Sequence, residues 1–507
     1  MNSMKIVCKV TMVMLTIGIT SCDDFLDKMP DKRAELNTPQ KVQDLLVSAY
    51  PNSLPSMMFE LMSDNATDNG SMYQYVFNSQ QQSYLWINIT DVNQDSPNAV
   101  WSSYYLAAAT ANQALEAIAD LGNPESCAPL KAEALLCRAY AHFVLVNTFC
   151  MAYNQISSDT DLGIPYPEEP ETVVNKKYER GTVADVYAKI NRDIEEALPL
   201  LKDSYLKQPL YHFNKKAAYA FAARFNLYYL RYDKAVEYAN VVLGNDPAKN
   251  MRDPSKYMDY VSPDDITMAY INPLEPANLL IISAVSSWGL FHRLNSTYSR
   301  YGHAREIVLR ETLVSSGPWG TNLPMFANKV YGTAQGYYYA KMSDFMEYVD
   351  EVAGIGYTRT VQTAFTVDET LLTRAEAYAM RREYDKMASD LSLWYSAKSG
   401  IRSGYWSKEQ IKTFYQSTYF VNKPMNPRFI VEPDDEQKAF INACLHARRL
   451  EAIHEGLRWL DIKRYGIEIV HPVYEGKELV LSAYDTRTAI QLPPDVLAAG
   501  MEANPRY

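Results

Sequence analysis

The chain has 507 residues, with 60 acidic against 49 basic side chains and a formal net charge of −11 at pH 7. This balance argues against a nucleic-acid binder, which needs a basic surface to neutralise phosphates, and against electrostatic docking on anionic lipid. The chain contains 39 Tyr against 16 Phe and 7 Trp, and a Tyr side chain joins a flat apolar face to a hydroxyl, which suits wet surfaces.

The first residues predict a secretory signal. Lys5 and Lys9 precede an apolar run over 10–19, which at about ten residues is too short to span a bilayer. The run leads into Ile-Thr-Ser-Cys at 19–22, a pattern that resembles a bacterial lipobox, and we expect lipid modification of Cys22. An ordinary signal peptide is the alternative. We expect the lipid to be the only attachment of the mature protein to the membrane.

Three amphipathic helices are predicted in the first half of the chain. The second of them, over about 129–149, is rich in Ala, Leu and aromatic residues. The third begins at Thr182, with Asp185 three residues on as a capping-box start, and has an apolar stripe from Val183 to Leu201. The first helix carries a stripe at spacings of three and four. This stripe consists of Trp101, Tyr105, Ala108, Asn112, Leu115 and Ala119.

Two later segments look like copies of one helical hairpin. Residues 217–243 place Tyr-Asp-Lys at 232–234 between two helices, and residues 371–395 do the same at 384–386. The same offset superposes two small residues, Ala223 and Ala375, that would let paired helices approach closely. This plan is that of a tetratricopeptide repeat, although two amphipathic hairpins can also be similar by chance. A capping residue at Thr366, three before Glu369, precedes the second copy.

Long stretches rich in Pro, Gly, Asn and Tyr separate the helical blocks, and binding residues tend to lie in such loops. They cover roughly 50–97, 150–180, 245–365 and 400–435. Leu279 to Val285 is the best strand-like run. We predict a signal peptide over 1–21. No low-complexity linker divides the rest of the chain, so we predict one large domain over 22–507. The fold class is mainly α, with long irregular loops and minor β structure.

Four separated segments share a family pattern, and the C-terminal one is the most specific. They are Cys22 to Asp27, Trp101 to Asn112, Ala132 to Tyr140 with 162–166 following, and Arg448 to Gly466. Together they resemble the SusD/RagB family of glycan-binding outer-membrane lipoproteins. In the C-terminal segment Leu450, Ile453, Leu457 and Leu460 would share one helix face. Glu455 three residues before Arg458 would support that helix, so we interpret the segment as a structural clamp.

The resemblance implies about four tetratricopeptide-like helix pairs, with a SusD-like N-terminal part over about 22–245 and a RagB/SusD part over about 246–507. It also implies a protein at the outer membrane that faces the cell exterior and holds oligosaccharide or polysaccharide on a shallow aromatic platform. Its partner would be a SusC-like TonB-dependent transporter. Neither catalytic activity nor a cofactor is expected.

The sequence contains little evidence of a catalytic site. A glycosidase needs two carboxylates about 5–10 Å apart, but pairs such as Glu451 and Glu455 arise freely among 60 acids. The sequence contains no H-E-x-x-H and no G-x-S-x-G motif. Residues 63–70 are rich in oxygen ligands but lack EF-hand spacing, so we predict an Asx turn there and no metal site. Four cysteines outside the leader (127, 137, 150 and 444) have no C-x-x-C spacing and are expected to be buried.

Sugar rings stack on aromatic faces while their hydroxyls need polar neighbours. Two loop stretches combine such residues, and Trp86 and Trp288 are the leading candidates, although each aromatic could equally be part of the core. The candidate glycan-binding residues are Tyr73, Tyr75, Asn78, Trp86, Trp288, Arg293, Tyr298 and Tyr301. A helical-repeat adaptor for peptide or protein is the second hypothesis, and a surface glycosidase is the third.

Overall fold

The computed structural model describes residues 36–171, 176–293, 300–320, 328–331, 336–399, 404–429 and 433–506. Helices dominate these ranges, so the prediction of a mainly α fold is confirmed. Cys22 and the predicted signal peptide lie outside them. Among the described residues, no helix combines the length and the apolar character that a membrane span requires.

The helices of the first half are α1 (Pro39–Leu46), α2 (Ser56–Met62), α3 (Asn78–Tyr84), α4 (Pro97–Asp120), α5 (Ala128–Phe149), α6 (Val183–Ala197), α7 (Lys215–Tyr228) and α8 (Tyr232–Leu243). Those of the second half are α9 (Pro263–Tyr270), α10 (Trp288–Arg293), α11 (Arg305–Arg310), α12 (Val367–Met380), α13 (Tyr384–Ser399), α14 (Lys408–Tyr415), α15 (Asp435–Glu451), α16 (Leu457–Tyr465) and α17 (Pro494–Ala498). The strands are β1 (Thr67–Asp68), β2 (Asn278–Val285), β3 (Tyr301–Gly302), β4 (Asn328–Tyr331), β5 (Gly336–Tyr339), β6 (Ser343–Asp350), β7 (Ile355–Thr366), β8 (Ile469–Val473) and β9 (Lys477–Leu481).

The long helices pack as successive neighbours. α4 lies against α5 and α5 against α6, while α7 pairs with α8 and α12 with α13. α8 and α15 both contact α12, which joins the two halves of the chain. Ala223 and Ala375, which the repeat superposes, are fully buried. The two predicted hairpins are thus both formed, and Tyr232 and Tyr384 each begin the second helix of their pair.

The turns of these hairpins share one backbone conformation. Leu230 and Arg382 have positive φ angles of 62° and 59°. Around Leu230 the amides of residues 229, 230 and 231 bond to the carbonyls of 225, 227 and 226, and the equivalent three bonds recur around Arg382. This is the Schellman motif, in which a left-handed residue ends a helix. The same three bonds surround Gly122 after α4 and Trp86 after α3.

The predicted helix starts are confirmed. Thr182 and Asp185 form a capping box at α6, and the Thr366 side chain accepts a hydrogen bond from the Glu369 amide at α12. The predicted stripe of α4 is only partly right. Ala108 and Asn112 are buried as predicted, and Tyr104, Ala107, Ala111 and Ile118 are buried on the adjacent face, whereas Ala119 is exposed and Trp101, Tyr105 and Leu115 are half-buried. The reason is that α4 is Ala-rich on two adjacent faces, so spacing alone did not select between them.

β2 confirms the strand-like run, and it pairs with β7 in a sheet of order β2-β7-β6. The β6–β7 hairpin lies inside a stretch that the sequence assigned to loop. Both faces of β6 from Phe345 to Asp350 are exposed, so it has neither the alternating nor the continuous apolar pattern that marks a strand. The remaining short sheets are β1–β3, β4–β5 and β8–β9.

A buried ion-pair cluster fastens the C-terminal segment to the loop after α2. The guanidinium of Arg458 makes two 2.9 Å bonds to the Asp64 carboxylate, and Arg449 reaches the Asp64 carbonyl and the Asn65 side chain at 2.8 and 2.7 Å. Lys423 adds a third cation 2.7 Å from Asp64. Burial alone would raise the pKa of Asp64, but Arg449, Arg458 and Lys423 outweigh it and hold that pKa well below its ordinary value.

This cluster, the Asp64 clamp (Asp64, Asn65, Lys423, Arg449 and Arg458), bears out the structural interpretation of the C-terminal segment and corrects its details. Arg458 pairs with Asp64 and not with Glu455, whose carboxylate lies 2.8 Å from Lys341. The predicted continuous helix is also broken. α15 ends before a turn in which His454 and Gly456 have positive φ, and a Cβ on Gly456 would come within 2.7 Å of Phe59.

Breaking the clamp should destabilise the whole protein. Arg458→Met keeps most of the apolar stem but leaves the buried Asp64 carboxylate short of two charged hydrogen bonds, and we expect a loss of about 3 kcal/mol in the free energy of unfolding. Urea denaturation followed by circular dichroism measures it. Lys234→Met, which breaks the exposed Lys234–Glu237 pair of α8, is the control and should cost less than about 0.5 kcal/mol. Equal losses in the two variants would contradict a stabilising role for the clamp.

Glu60 of α2 makes stability depend on pH. Burial raises its pKa to about 7, although hydrogen bonds from the His454 amide and the Asn65 side chain lower it. Because the folded pKa lies above the ordinary value, this carboxyl contributes stability below about pH 4.5 that is lost as the pH rises through 7. Glu60→Gln cannot ionise. We therefore expect its stability relative to the unaltered protein to improve by about 3 kcal/mol between pH 4.5 and 8.

Denaturation of the two proteins side by side over that pH range checks this expectation, since other titrating groups cancel in the difference. Glu237→Gln, at an exposed position of α8, serves as the control and should show a flat difference. A flat difference for Glu60→Gln as well would refute the raised pKa.

Candidate functional site

The structure brings the two candidate glycan-binding stretches together. β1 pairs with β3, so that Asp68 lies opposite Tyr301 and Thr67 opposite Gly302. Beyond the strands, the Asn69 amide donates to the Arg300 carbonyl at 2.7 Å, and the Arg300 amide donates to the Gln74 carbonyl at 3.2 Å. The loops that precede α3 and follow α10 therefore form one unit.

Five aromatic rings stack through this unit, and we call them the aromatic column. In order they are Trp86, His471, Tyr84, Tyr301 and Tyr75, with successive ring centroids 4.1, 4.2, 4.6 and 5.9 Å apart. Burial lowers the pKa of His471 to about 4, so its ring is neutral within the stack at pH 7. Burial also raises the pKa values of Tyr84 and Tyr301, so both phenols keep their protons.

Trp86 and Trp288 are not sugar platforms, which corrects the leading expectation from the sequence. Their side chains are only 3% and 5% exposed. The Trp86 indole donates to the Met62 carbonyl and the Trp288 indole to the His454 carbonyl, both at 2.8 Å. The left-handed backbone of Trp86 (φ 52°) turns the chain back at the end of α3. Both rings thus serve the core, as large aromatics commonly do.

The outer end of the column reaches solvent at Tyr75, which is half-buried, as is Tyr73 two residues earlier. The guanidinium of Arg300 lies 6.0 Å from the Tyr75 ring and 5.2 Å from the Tyr301 ring. It is held there by the Asp68 carboxylate at 3.2 and 3.4 Å. Tyr301 itself is 5% exposed, so it is a buried ring on which the Tyr75 ring packs.

Two contributors were missed at the sequence level. Tyr474, in the turn between β8 and β9, is 51% exposed, and its ring packs on Gly70. Its amide lies 3.3 Å from the Asp68 carboxylate. Gln81 accepts from the Tyr75 hydroxyl at 3.0 Å and donates to that of Tyr301 at 3.2 Å. In the sequence, Tyr474 is marked only by the Glu-Gly turn that follows it. It lies some 400 residues from Asp68 and Gly70, its neighbours in the structure.

We call the half-exposed and exposed side chains of Tyr73, Tyr75, Arg300 and Tyr474 the tyrosine surface. Asn78, the first residue of α3, is exposed close by in sequence. Tyr298 and the side chain of Arg293 lie outside the described residues. The tyrosine surface offers aromatic faces beside a fixed guanidinium and amide groups, which is the combination that a sugar ring with its hydroxyls requires.

Asp68, the carboxylate within this site, is committed to other contacts, and so are Glu451 and Glu455. Asp68 accepts from the Gly70 and Tyr474 amides as well as from Arg300, and the first of these is the Asx turn that the sequence predicted. Glu451 lies 3.1 Å from Lys398 and accepts from the Trp394 indole at 2.8 Å. Since Glu455 is paired with Lys341, the Glu451/Glu455 pair contributes buried structural contacts and not an acid and base at a sugar.

Comparison with known proteins agrees with this description. Residues 24–227 match the family model SusD-like_3, described as starch-binding associating with outer membrane. No curated protein sequence matches the chain. A SusD superfamily protein from Bacteroides thetaiotaomicron has a similar solved structure, with a TM-score of 0.65 and 18% identity over 92% of this chain and 100% of that one.

Two further solved structures carry ligand classes in their names. A SusD-like carbohydrate binding protein from Bacteroides vulgatus aligns with a TM-score of 0.64 and 15% identity, over 91% of this chain and 96% of that one. A laminarin binding SusD-like protein aligns with a TM-score of 0.55 and 16% identity, over 92% and 99%. The chain therefore matches a SusD-like family model over its N-terminal part, and it shares the fold of solved SusD-like proteins along most of its length.

Proposed function

We propose that the chain is a cell-surface lipoprotein that captures oligosaccharide and delivers it to a SusC-like TonB-dependent transporter. The observation that carries the binding part is the tyrosine surface on a SusD-like fold, because aromatic faces beside a fixed guanidinium suit sugar rings. The lipobox pattern ending at Cys22 supports anchoring at the outer membrane. Delivery to the transporter rests on the family alone.

Within this proposal each residue has a distinct role. Tyr73, Tyr75 and Tyr474 present ring faces, while Arg300 donates to sugar hydroxyls. Asp68 holds Arg300 in place at 3.2 Å, and Gln81 fixes the Tyr75 hydroxyl. The buried part of the aromatic column keeps Tyr75 from shifting when a ligand packs on it. Little side-chain freedom is then lost on binding, which favours affinity from a shallow surface.

Glycan binding should depend on the tyrosine surface. We expect the Tyr73→Ala/Tyr75→Ala double variant to bind its polysaccharide about 5- to 150-fold more weakly, because each of the two lost stacking contacts costs about 0.5–1.5 kcal/mol. Affinity electrophoresis against laminarin, starch and a panel of other polysaccharides finds the ligand, and isothermal titration calorimetry gives the affinities. Tyr419→Ala, at a 74% exposed tyrosine elsewhere on the surface, is the matched control.

Three outcomes would count against this proposal. If no polysaccharide binds, the glycan function fails. If binding occurs but is indifferent to the double variant while the protein stays folded by circular dichroism, the assigned surface is wrong. Release of reducing sugar from a bound polysaccharide would favour the glycosidase hypothesis instead.

Anchoring should depend on Cys22. In Cys22→Ala the residue that carries the lipid is lost, so we expect the protein to leave the outer-membrane fraction and appear in soluble fractions. Fractionation and immunoblotting of both proteins measure this, with Cys150→Ala, a buried cysteine, as the control. Affinity purification of the unaltered protein from detergent-solubilised outer membranes should also retain a TonB-dependent barrel. Persistence of Cys22→Ala in the membrane fraction would contradict lipid anchoring.

A further inference from the structure

The outer edge of the β2–β7–β6 sheet has no role in the proposed function. In the order β2-β7-β6, strand β6 has a neighbour on one side only. Among the residues that the structure describes, none outside β7 makes a backbone hydrogen bond to the segment from Phe345 to Asp350. An exposed strand edge of this kind is a template for another extended chain.

The surroundings of this edge form a groove. A cleft of about 530 Å³ lies between α9 and β6 and is lined by Pro263, Thr267, Met268, Leu290, Phe345 and Met346, among others. That volume lies in the range of ligand-sized clefts. The apolar side chains continue beyond the cleft on the hairpin itself, where Tyr348, Val349, Val352, Ile355 and Tyr357 are all exposed. Exposed apolar side chains concentrated on one hairpin indicate an interaction surface.

The charged residues around this groove indicate which kind of molecule could bind there. Residues 259–275 contain four acids and residues 343–358 contain another four, and neither segment contains a single Lys or Arg. Arg359, which directly follows the second segment in β7, is paired with Glu347 at 2.5 Å. Acidic side chains along an edge discourage pairing with a second identical edge, and they repel anionic lipid. The same acids are complementary to a basic polypeptide.

We propose that the free edge of β6 accepts an extended, basic segment of a partner protein, which adds to the β2–β7–β6 sheet as a fourth strand. The backbone from Phe345 to Asp350 supplies the hydrogen bonds and the cleft beside α9 receives alternate side chains, as in other cases of strand addition. Asp264, Asp265 and Asp350 select for Lys or Arg on the incoming strand. This surface is separate from the tyrosine surface in residues and in ligand chemistry.

A labelled synthetic peptide tests the proposal with the full mature chain. The probe is a fluorescein-tagged decapeptide in which Lys alternates with Val and Thr, and fluorescence anisotropy measures its affinity. We expect saturable binding that is lost when alternate backbone amides of the peptide are N-methylated or when its Lys residues are replaced by Glu. Binding of the N-methylated peptide as tight as that of the unmodified one would overturn strand addition, as would no binding of either.

Variants of the protein locate the contact. Asp264→Lys/Asp265→Lys should weaken binding of the Lys peptide about tenfold or more by charge reversal on the α9 side of the groove, whereas Glu478→Lys on the β8–β9 hairpin should leave it unchanged. Hydrogen exchange of the unaltered protein gives an independent measure, since the amides from Phe345 to Asp350 should slow when the peptide is bound. Equal effects of the two variants, or no slowing, would refute this location.

Self-association provides the remaining alternative. If light scattering showed that the chain forms dimers on its own, and if Asp350→Lys changed that dimerisation, the edge would belong to a second copy and the proposal would be wrong. A monomer that binds the Lys peptide agrees with the proposal.

Discussion

The Asp64 clamp is the constraint on which the rest of the structure depends. It places the buried Asp64 carboxylate among three cations, two of which also pair with Glu311. An unpaired charge at such a buried position would be far more costly than at the surface. Asp64 and Asn65 immediately precede β1, and β1 pairs with β3. Because Asp64 lies only about four residues before Asp68, the clamp fixes the start of the loop that carries Asp68, Tyr73 and Tyr75. A contact contributed by the last sixth of the chain thus determines where the N-terminal aromatic residues lie.

The same arrangement divides the aromatic residues into two kinds. Rings at the inner end of the column, such as Trp86, give their polar atoms to backbone carbonyls and become part of the core. Rings at the outer end, such as Tyr75, keep one face in solvent and give their hydroxyl to a side chain that is itself anchored. A stacked series of this kind transmits rigidity from core to surface, because each ring is confined by the next. The tyrosine surface is shallow, but its side chains have little freedom to move.

Much of the scaffold could be predicted from sequence because it rests on local rules. Helix periodicity, the capping residues Thr182 and Thr366 and the Tyr-Asp-Lys repeat are all read within a few residues, and all are formed. The site was predicted only in part. Composition selected two loops that the structure brings together, but it could not separate Trp86, which is sealed, from Tyr75, which is not, because burial there depends on His471 nearly 400 residues away. The pairing of Arg458 with Asp64 was missed for the same reason. The β6–β7 hairpin was missed because both faces of β6 from Phe345 to Asp350 are exposed.

The helix-ending turns carry one more consequence. Among the described residues, five helices end with the same three backbone bonds, yet the left-handed position is occupied by Trp86, Gly122, Leu230, Arg382 and Gly500 in turn. Glycine is favoured there by roughly 1 kcal/mol, but the surrounding packing evidently imposes the conformation without it. The backbone conformation at the end of a helix is thus kept where the residue that adopts it differs. A search for such helix ends that looked only for glycine would miss three of the five.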